Sequence, residues 1–266
     1  LPIIRSFCIN QWLVARSTVA TNKGLQDYTV SVVVTCRNER GNIERVVKEC
    51  PQMGKHTQII FVEGGSSDGT LEEIQRVAQE YKEVRDISWY VQENKGKGDA
   101  VRKGFAHASS DVLMILDGDL TMPAQELSKF FEALVTAKGD FINGSRLVYS
   151  MESKAMQFLN LLANWFFGRQ FSWILGQRIK DTLCGTKVLW KEDYGRIIAN
   201  RSYFSMRDPF GDFDLLFGAA KLHLKIVDVP IRYKDRTYGQ TNIRRFANGL
   251  VLLWMSIIAM RKFKFR

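Results

Sequence analysis

The clearest fold signal in this 266-residue chain lies at residues 58–78, which read QIIFVEGGSSDGTLEEIQRVA. The apolar start predicts a buried strand at Gln58–Glu63, and a turn rich in glycine and serine follows it. After Thr70 the apolar residues recur at helical spacing, which predicts a helix. A strand, a glycine-rich turn and a helix form the unit that presents backbone N–H groups to an anion such as a phosphate.

Similar units flank this one on both sides. Apolar runs predict further strands, and segments with helical spacing alternate with them. These strands are predicted at Val30–Val34, Ile87–Val91, Val112–Leu116 and Asp140–Asn143. Strands and helices that alternate with short connections predict an α/β domain with a doubly wound, mostly parallel sheet and helices on both faces. Ligands of such sheets bind beyond the carboxyl ends of the strands.

Two carboxylates directly follow the strand predicted at Val112–Leu116. Asp117 and Asp119 stand two positions apart, so both can reach one hard cation. Mg²⁺ and Mn²⁺ prefer oxygen ligands and bridge to a diphosphate, where the cation neutralises charge on a departing nucleoside diphosphate. A solvated surface turn is the alternative interpretation of so short a motif. Its place after a buried strand favours the metal site.

Two loops at other strand ends carry further candidates. Glu63 follows a strand and can accept hydrogen bonds from a base or a ribose, and its turn has neither a Walker nor a dinucleotide-binding pattern. Lys97 stands between glycines at a predicted helix start, where it can meet a phosphate. A tight turn and a solvated basic loop are the simpler interpretations of these two segments. Because Glu63 and the two aspartates all lie at strand ends, we expect them in one cleft.

Charge and apolar residues concentrate in the second half of the chain. The net charge is +10, and basic residues flank the apolar run Gly249–Met260, which is too short to span a bilayer alone. Residues 150–180 are rich in Phe, Trp and Leu. Both segments predict amphipathic membrane-interface helices, with a core helix as the alternative for residues 150–180. The sequence has no aromatic and basic motif for nucleic acid, so no nucleic-acid partner is predicted.

These patterns divide the chain into three parts. Residues 1–28 form a lead-in segment, residues 29–245 form the α/β domain, and residues 246–266 form a C-terminal amphipathic basic helix. The cysteines are scattered and follow no metal-ligand spacing, which predicts neither a zinc site nor a disulfide framework.

Four motifs follow one another in the first half of the domain: Arg37-Asn38-Glu39, Val62–Thr70, Asn94–Gly104 and Asp117-Gly118-Asp119. Their order is typical of glycosyltransferase family 2, which this chain resembles. Downstream, the chain is similar to the branch that contains dolichyl-phosphate mannose synthase and other polyprenyl-phosphate glycosyltransferases. The motifs of that branch are Gly144-Ser145-Arg146, Asp181–Lys187, Phe210–Asp214 and Val229–Thr241. The resemblance covers about residues 29–245.

The resemblance implies a GT-A fold and a membrane-associated enzyme at the cytoplasmic face. Its expected reaction is an inverting, Mg²⁺- or Mn²⁺-dependent transfer of a sugar from a UDP- or GDP-sugar to dolichyl or undecaprenyl phosphate. The implied nucleotide-binding residues are Thr35, Asn38, Glu39, Glu63, Asp68, Lys97 and Asp117. The implied metal ligands are Asp117 and Asp119, which with Asp212 and Asp214 form the catalytic set. The implied contacts of the acceptor phosphate are Arg146, Lys187 and Arg236.

The chain departs from the family pattern at a few positions of the site, and two other functions stay open. The departures are Thr35, Arg37, the Glu63-Gly64 pair and Thr121. Glu63-Gly64 and Arg37 bear on the preferred nucleotide, and Thr121 on a supplementary metal contact. One alternative function is transfer to a saccharide hydroxyl, which would need a base such as Asp212 or Asp214. The other is a non-catalytic module that binds a nucleotide sugar or a membrane.

Overall fold

The structure is a computed structural model that describes residues 23–147, 158–201, 208, 211–239 and 245–265. Most of the predicted lead-in segment, the first part of the 150–180 segment and the motif residues Phe210, Gln240 and Thr241 therefore lie outside the described residues. The described end of the lead-in forms a short 3₁₀ turn at Leu25–Asp27. The boundaries of the three predicted parts stay a prediction.

One seven-stranded sheet forms the centre of the domain. Its strands are β1 (Thr29–Cys36), β2 (His56–Glu63), β3 (Asp86–Val91), β4 (Val112–Asp117), β5 (Phe141–Ser145), β6 (Lys187–Trp190) and β7 (Ile226–Pro230). They lie in the order β3-β2-β1-β4-β6-β5-β7. Neighbouring strands are parallel except where β6 pairs antiparallel with β4 and β5. The mostly parallel, doubly wound sheet is confirmed, and the short strands β6 and β7 add to it.

Helices cover both faces of this sheet. They are α1 (Arg40–Glu49), α2 (Thr70–Glu80), α3 (Lys97–His107), α4 (Leu127–Val135), α5 (Phe158–Leu175), α6 (Lys191–Ala199), α7 (Phe213–Lys221) and α8 (Arg245–Phe263). Because successive side chains of a strand point to opposite faces, β1 contributes Val32 to one core and Val33 to the other. Residues of α1, α2 and α4 share the core with Val32, and residues of α3 and α5 to α8 share the core with Val33.

Helices α5 and α8 each bury one face and expose another. In α5, Phe171 is fully buried against Phe213 and Phe217 of α7, with ring centroids 5.2 and 5.6 Å away. On the other face, Trp165 and Trp173 are 54% and 55% exposed. The two helices contact each other, and α8 exposes further apolar side chains such as Trp254. One face of α5 thus belongs to the core, as the core-helix alternative predicts, and the other face is exposed. Contact of that exposed face with a membrane stays a prediction.

Within the described residues, no helix has the length and apolar character needed to cross a membrane.

Candidate active site

The candidate site lies at the carboxyl ends of β1 and β4, where the strand order reverses. From β1 the chain continues to β2 and β3 on one side, while β4 lies on the other. The register pairs Thr35 of β1 with Asp117 of β4, and Cys36 of β1 with Glu63 of β2. The expected ligand cleft of a doubly wound sheet is located at this reversal. The sheet therefore brings Glu63 and Asp117 to one edge, and Asp119 follows two positions after the end of β4.

Asp117 and Lys97 form an ion pair at this edge. Lys97 begins α3, and its Nζ lies 2.5 Å from Asp117 Oδ1, which Thr35 Oγ1 also approaches at 3.4 Å. Burial acts to raise the pKa of Asp117, but the charge and hydrogen bond of Lys97 outweigh burial and hold that pKa below its usual value. Burial acts to lower the pKa of Lys97, and the nearby carboxylates of Asp117 and Asp212 raise it instead. Both groups are therefore charged near neutral pH.

Gly185 forms a wall of this pair. A β-carbon at Gly185 would come within 3.0 Å of both Asp117 Oδ2 and Lys97 Nζ, a separation that real β-carbons essentially never show. Only a residue without a side chain leaves the two charged ends in their places.

Arg236 joins Asp119 to the start of α1. Its Nη2 lies 2.6 Å from Asp119 Oδ2, and its Nη1 lies 2.8 Å from Glu39 Oε1. The other oxygen of Asp119 accepts hydrogen bonds from the backbone N–H of Thr121 at 3.1 Å and from its hydroxyl at 2.8 Å. Thr121, a departure from the family pattern, thus holds the orientation of Asp119.

Glu39 is buried between Arg236 and α1. Asn42 donates a hydrogen bond to Glu39 Oε2 at 2.8 Å. Burial raises the pKa of Glu39 to about 7, although Arg236 and Asn42 both act to lower it. Glu39 therefore titrates near neutral pH.

The turns after β1 and β2 are held together by the side chains predicted to bind the nucleotide. The backbone N–H of Asn38 donates to Ser66 Oγ at 2.9 Å, and Asn38 Oδ1 accepts from the backbone N–H of Ser67 at 2.9 Å. Asn38 has a φ of 56°, which lies in the left-handed region where asparagine is one of the better-tolerated residues. Glu63 Oε1 accepts from the backbone N–H of Ser66 at 2.5 Å. The Asn38 hydrogen bonds thus join the turn after β1 to the turn after β2.

Asp68 holds the start of α2. It accepts hydrogen bonds from the backbone N–H of Thr70 at 3.1 Å and of Arg40 at 3.2 Å, and from the Thr70 hydroxyl. Burial acts to raise the pKa of Asp68, and these hydrogen bonds lower it below its usual value.

Arg146 is paired with a buried carboxylate. Its Nε and Nη2 lie 2.7 and 2.8 Å from the two oxygens of Asp181, which is fully buried. The guanidinium also lies over the Tyr233 ring, 5.4 Å from its centroid. Nη1 takes no part in the Asp181 pair. This fork fixes the plane of Arg146, while the predicted acceptor contact stays a prediction.

Lys187 and Asp212 are buried next to each other. Lys187 has no exposed surface, its Nζ lies 3.4 Å from Asp212 Oδ1, and it donates a hydrogen bond to the Cys184 carbonyl. Burial raises the pKa of Asp212 in spite of the positive charges of Lys187 and Lys97. The structure thus places Lys187 beneath the surface, although the family resemblance implies that it contacts the acceptor phosphate.

Asp214 lies apart from the cluster. Its Oδ2 lies 2.9 Å from Arg201 Nε and 3.8 Å from Arg102 Nη1. The structure therefore brings together Glu39, Asp117, Asp119, Lys97 and Arg236, and it does not bring Asp214 to them. The roles assigned to these residues stay predictions.

Three residues of the site have no role that the sequence predicts. Gly185 and Asp181 belong to a quoted motif, but only the fold reveals that they contact Asp117 and Arg146. Tyr238 donates a hydrogen bond to Asp68 Oδ2 at 3.1 Å from a position 170 residues later, so no local spacing indicates it.

Residues 31–194 match the sequence model of a protein family, Glycosyl transferase family 2. The chain belongs to this family. The predicted class, a glycosyltransferase, is thereby confirmed.

Relatives support the predicted branch within the family. Dolichol-phosphate mannosyltransferase of Pyrococcus furiosus is 27% identical over 230 residues, which are 81% of this chain and 59% of the relative. Undecaprenyl-phosphate 4-deoxy-4-formamido-L-arabinose transferase of Edwardsiella ictaluri is 33% identical over 108 residues, or 39% of this chain and 33% of the relative. Glycosyltransferase AglJ of Haloferax volcanii is 28% identical over 225 residues, or 84% of this chain and 69% of the relative. The dolichol-phosphate and undecaprenyl-phosphate transferases among these relatives confirm the predicted polyprenyl-phosphate branch. The chain spans 33% to 69% of the relatives' lengths.

The fold also matches solved glycosyltransferase structures. Glucosyl-3-phosphoglycerate synthase from Mycobacterium tuberculosis, in complex with Mg²⁺ and uridine diphosphate, superposes with a TM-score of 0.62. The match has 16% sequence identity and covers 88% of this chain and 79% of that chain. At this identity the likeness concerns the fold alone, and it confirms the predicted GT-A fold.

Proposed function

We propose that this chain moves a sugar from a UDP- or GDP-sugar to a polyprenyl phosphate, dolichyl or undecaprenyl, at the cytoplasmic face of a membrane. The observation that carries the proposal is the cluster of charged side chains at the point where the strand order reverses. Lys97 pairs there with Asp117, and Arg236 pairs with Asp119 and Glu39. Carboxylates and cations in one cleft suit a metal-bound diphosphate. The polyprenyl-phosphate transferases among the relatives support the acceptor class.

The donor set suits a hard divalent cation. Asp117 and Asp119 offer carboxylate oxygens, the ligand type that Mg²⁺ and Mn²⁺ prefer, and each already has a cationic group next to it. Among the described residues, no group of three or more metal-ligating side chains comes together. Two carboxylates with further ligands from the donor phosphates and water are a common Mg²⁺ arrangement. When bound there, the cation supplies charge neutralisation on the departing diphosphate.

The surroundings of Asp212 and Asp214 favour a phosphate acceptor over a sugar hydroxyl. A hydroxyl needs a general base in reach of solvent and substrate, whereas a phosphate is already ionised near neutral pH. Asp212 is buried against Lys187, and Asp214 is paired with arginines. Because the acceptor phosphate is already ionised, the site residues need only position it and screen its charge. Arg146, fixed by Asp181, and Arg236 are suited to hold it in line with the donor.

The exposed faces of α5 and α8 support a position at a membrane surface. Trp165 and Trp173 are exposed on α5, with Arg169 and Lys264 over their rings at 4.9 and 5.5 Å. Tryptophan next to cationic side chains is typical of the lipid headgroup region. We expect binding to vesicles with anionic lipid, and roughly tenfold weaker binding when both tryptophans are changed to glutamine. Trp89→Gln, at an exposed position on β3, is the control.

A lipid-extraction assay tests the reaction. The protein is mixed in detergent with polyprenyl phosphate, Mn²⁺ or Mg²⁺, and labelled UDP- and GDP-sugars. We expect label in the organic phase, and none after chelation. Label on an added saccharide would contradict the phosphate acceptor, and binding of a nucleotide sugar without turnover would indicate a non-catalytic module.

A further inference from the structure

The segment Asp235–Gly239, here named the strap, crosses the carboxyl edge of the sheet. It follows β7. Just after β7, the chain is held to β5 by a hydrogen bond of 3.0 Å from the backbone N–H of Ile231 to the Ser145 carbonyl. Next to the strap, the backbone N–H of Lys234 donates to the Thr121 carbonyl at 2.8 Å. The strap therefore starts beside Asp119 and extends toward α1.

Three consecutive side chains of the strap contact the opposite side of the cleft. Arg236 bridges Asp119 and Glu39, as described above. The hydroxyl of Thr237 accepts a hydrogen bond from Arg45 Nη1 at 2.9 Å, and the hydroxyl of Tyr238 donates to Asp68 Oδ2 at 3.1 Å. Asp119, Glu39 and Asp68 are all assigned to the donor or its metal.

Two glycines allow the strap to lie close to the turn before α1. A β-carbon at Gly41 would come within 2.6 Å of the Tyr238 ring, so the ring packs against the helix backbone there. Gly239 has a φ of +75°, and a β-carbon on it would lie 2.9 Å from the Asn38 carbonyl. Tyr238 is thus held both by its hydroxyl and by its ring.

We propose that Tyr238 is a positioning residue of the donor site, holding the strap so that Arg236 reaches Asp119 Oδ2 and Glu39 Oε1. The inference rests on the proposed function, because that function assigns Asp119 to the metal. Asp119 Oδ1 is already engaged by Thr121, so Arg236 occupies the oxygen that a cation would use. A cation and Arg236 therefore compete for Asp119, and Tyr238 determines how well Arg236 competes.

We expect the fold to stay intact when the Tyr238 hydroxyl is removed. Asp68 keeps its hydrogen bonds from Thr70 and Arg40, and the phenyl ring of a Tyr238→Phe variant still packs on Gly41. A hydrogen bond to a carboxylate at a partly exposed site changes such an equilibrium by roughly threefold to tenfold. We expect Mn²⁺, added alone, to bind more tightly by that factor, because the competing arginine is less firmly held.

Two measurements without donor or acceptor test this inference. Electron paramagnetic resonance of free Mn²⁺ gives the metal affinity, and peptide mass spectrometry gives the rate at which phenylglyoxal modifies Arg236. Both are measured for the wild type, Tyr238→Phe and Tyr238→Ala. Tyr81→Phe is the matched control, because the Tyr81 hydroxyl donates to the Glu44 carboxylate at 3.0 Å between α1 and α2, away from the strap.

Tighter Mn²⁺ binding and faster modification of Arg236 in both Tyr238 variants, with no change in Tyr81→Phe, support the inference. It is overturned if Arg236 reacts at the wild-type rate in both variants, or if Mn²⁺ affinity is undetectable or the same in all proteins. Equal effects in the Tyr81 control would also overturn it, since they would indicate general loosening. If the variants respond as expected but no nucleotide sugar is used, the proposed function fails and the link from Tyr238 to Arg236 stands.

Discussion

Replacing Gly185 with alanine perturbs the Asp117–Lys97 pair without deleting either charge. The added methyl group would come within 3.0 Å of Asp117 Oδ2 and of Lys97 Nζ, which lie at the ends of their side chains. No backbone atom is among the nearest contacts, so the fold can tolerate the change. The strain falls on the pair, which must separate from its 2.5 Å contact.

The size of the effect follows from the displacement. Each charged end has to move by roughly 1 Å to reach ordinary van der Waals contact with the methyl group. A misplacement of about 1 Å in a catalytic site can lower the rate by about 100-fold. We therefore expect transfer activity about 100-fold below the wild type, with little change in the midpoint of thermal unfolding.

The assay is the initial rate of label transfer to lipid, with calorimetry on the same samples. Gly195→Ala is the control, because Gly195 lies within α6 and nothing lies within 4 Å of its added β-carbon. Alanine in a helix is favoured over glycine by about 1 kcal/mol, so this control should be active and slightly more stable. Wild-type activity in Gly185→Ala would refute the idea that the Asp117–Lys97 contact is needed in its present geometry.

Three further predictions concern other parts of the site. Asp119→Asn removes a carboxylate charge at the expected metal position, so turnover should fall at least 100-fold at every Mn²⁺ concentration in rate titrations; an unchanged rate would remove Asp119 from the metal site. Arg146→Ala leaves buried Asp181 without its partner and should lower the free energy of unfolding by about 3 kcal/mol in urea titrations, with partial recovery in Arg146→Ala/Asp181→Ala. Glu39 has a folded-state pKa of about 7, above the ordinary 4.5, so its stabilising contribution is present at low pH and is lost as pH rises through 7. Between pH 5 and pH 8, wild-type stability should therefore fall by about 2 kcal/mol relative to Glu39→Gln in calorimetry, and equal pH profiles would contradict the raised pKa.

The first half of the sheet could be predicted because its signals are local. Long apolar runs followed by glycine-rich turns indicate β1, β2 and β4 directly, and the parallel order follows from their alternation with helices. The strand β6 could not be predicted in this way. It has only four residues, Lys187–Trp190, and its place is determined by antiparallel pairing with β4 and β5, which are distant in sequence.

Within the candidate site, too, some residues have local sequence signals and others are brought together only by the fold. Asp117 and Lys97 stand out because each follows or precedes a recognisable element. The pairing of Arg236 with Glu39 joins residues 197 positions apart, and only the fold brings them together. The burial of Lys187 could not be predicted from its motif. A lysine is expected at the surface, and Lys187 is fully buried.

The antiparallel strand β6 returns the chain to the carboxyl edge of the sheet. Because β5 runs in the direction of β4 and β6 runs against both, the chain leaves the sheet after Ser145 and returns at Lys187 on the same edge. The connection from Ser145 to Lys187 thus begins and ends beside the cleft, and within its described part α5 buries one face in the core. A segment from another family member in place of residues 146–186 would therefore have to supply a glycine at position 185, beside the Asp117–Lys97 pair, and an apolar face on α5 that packs against α7.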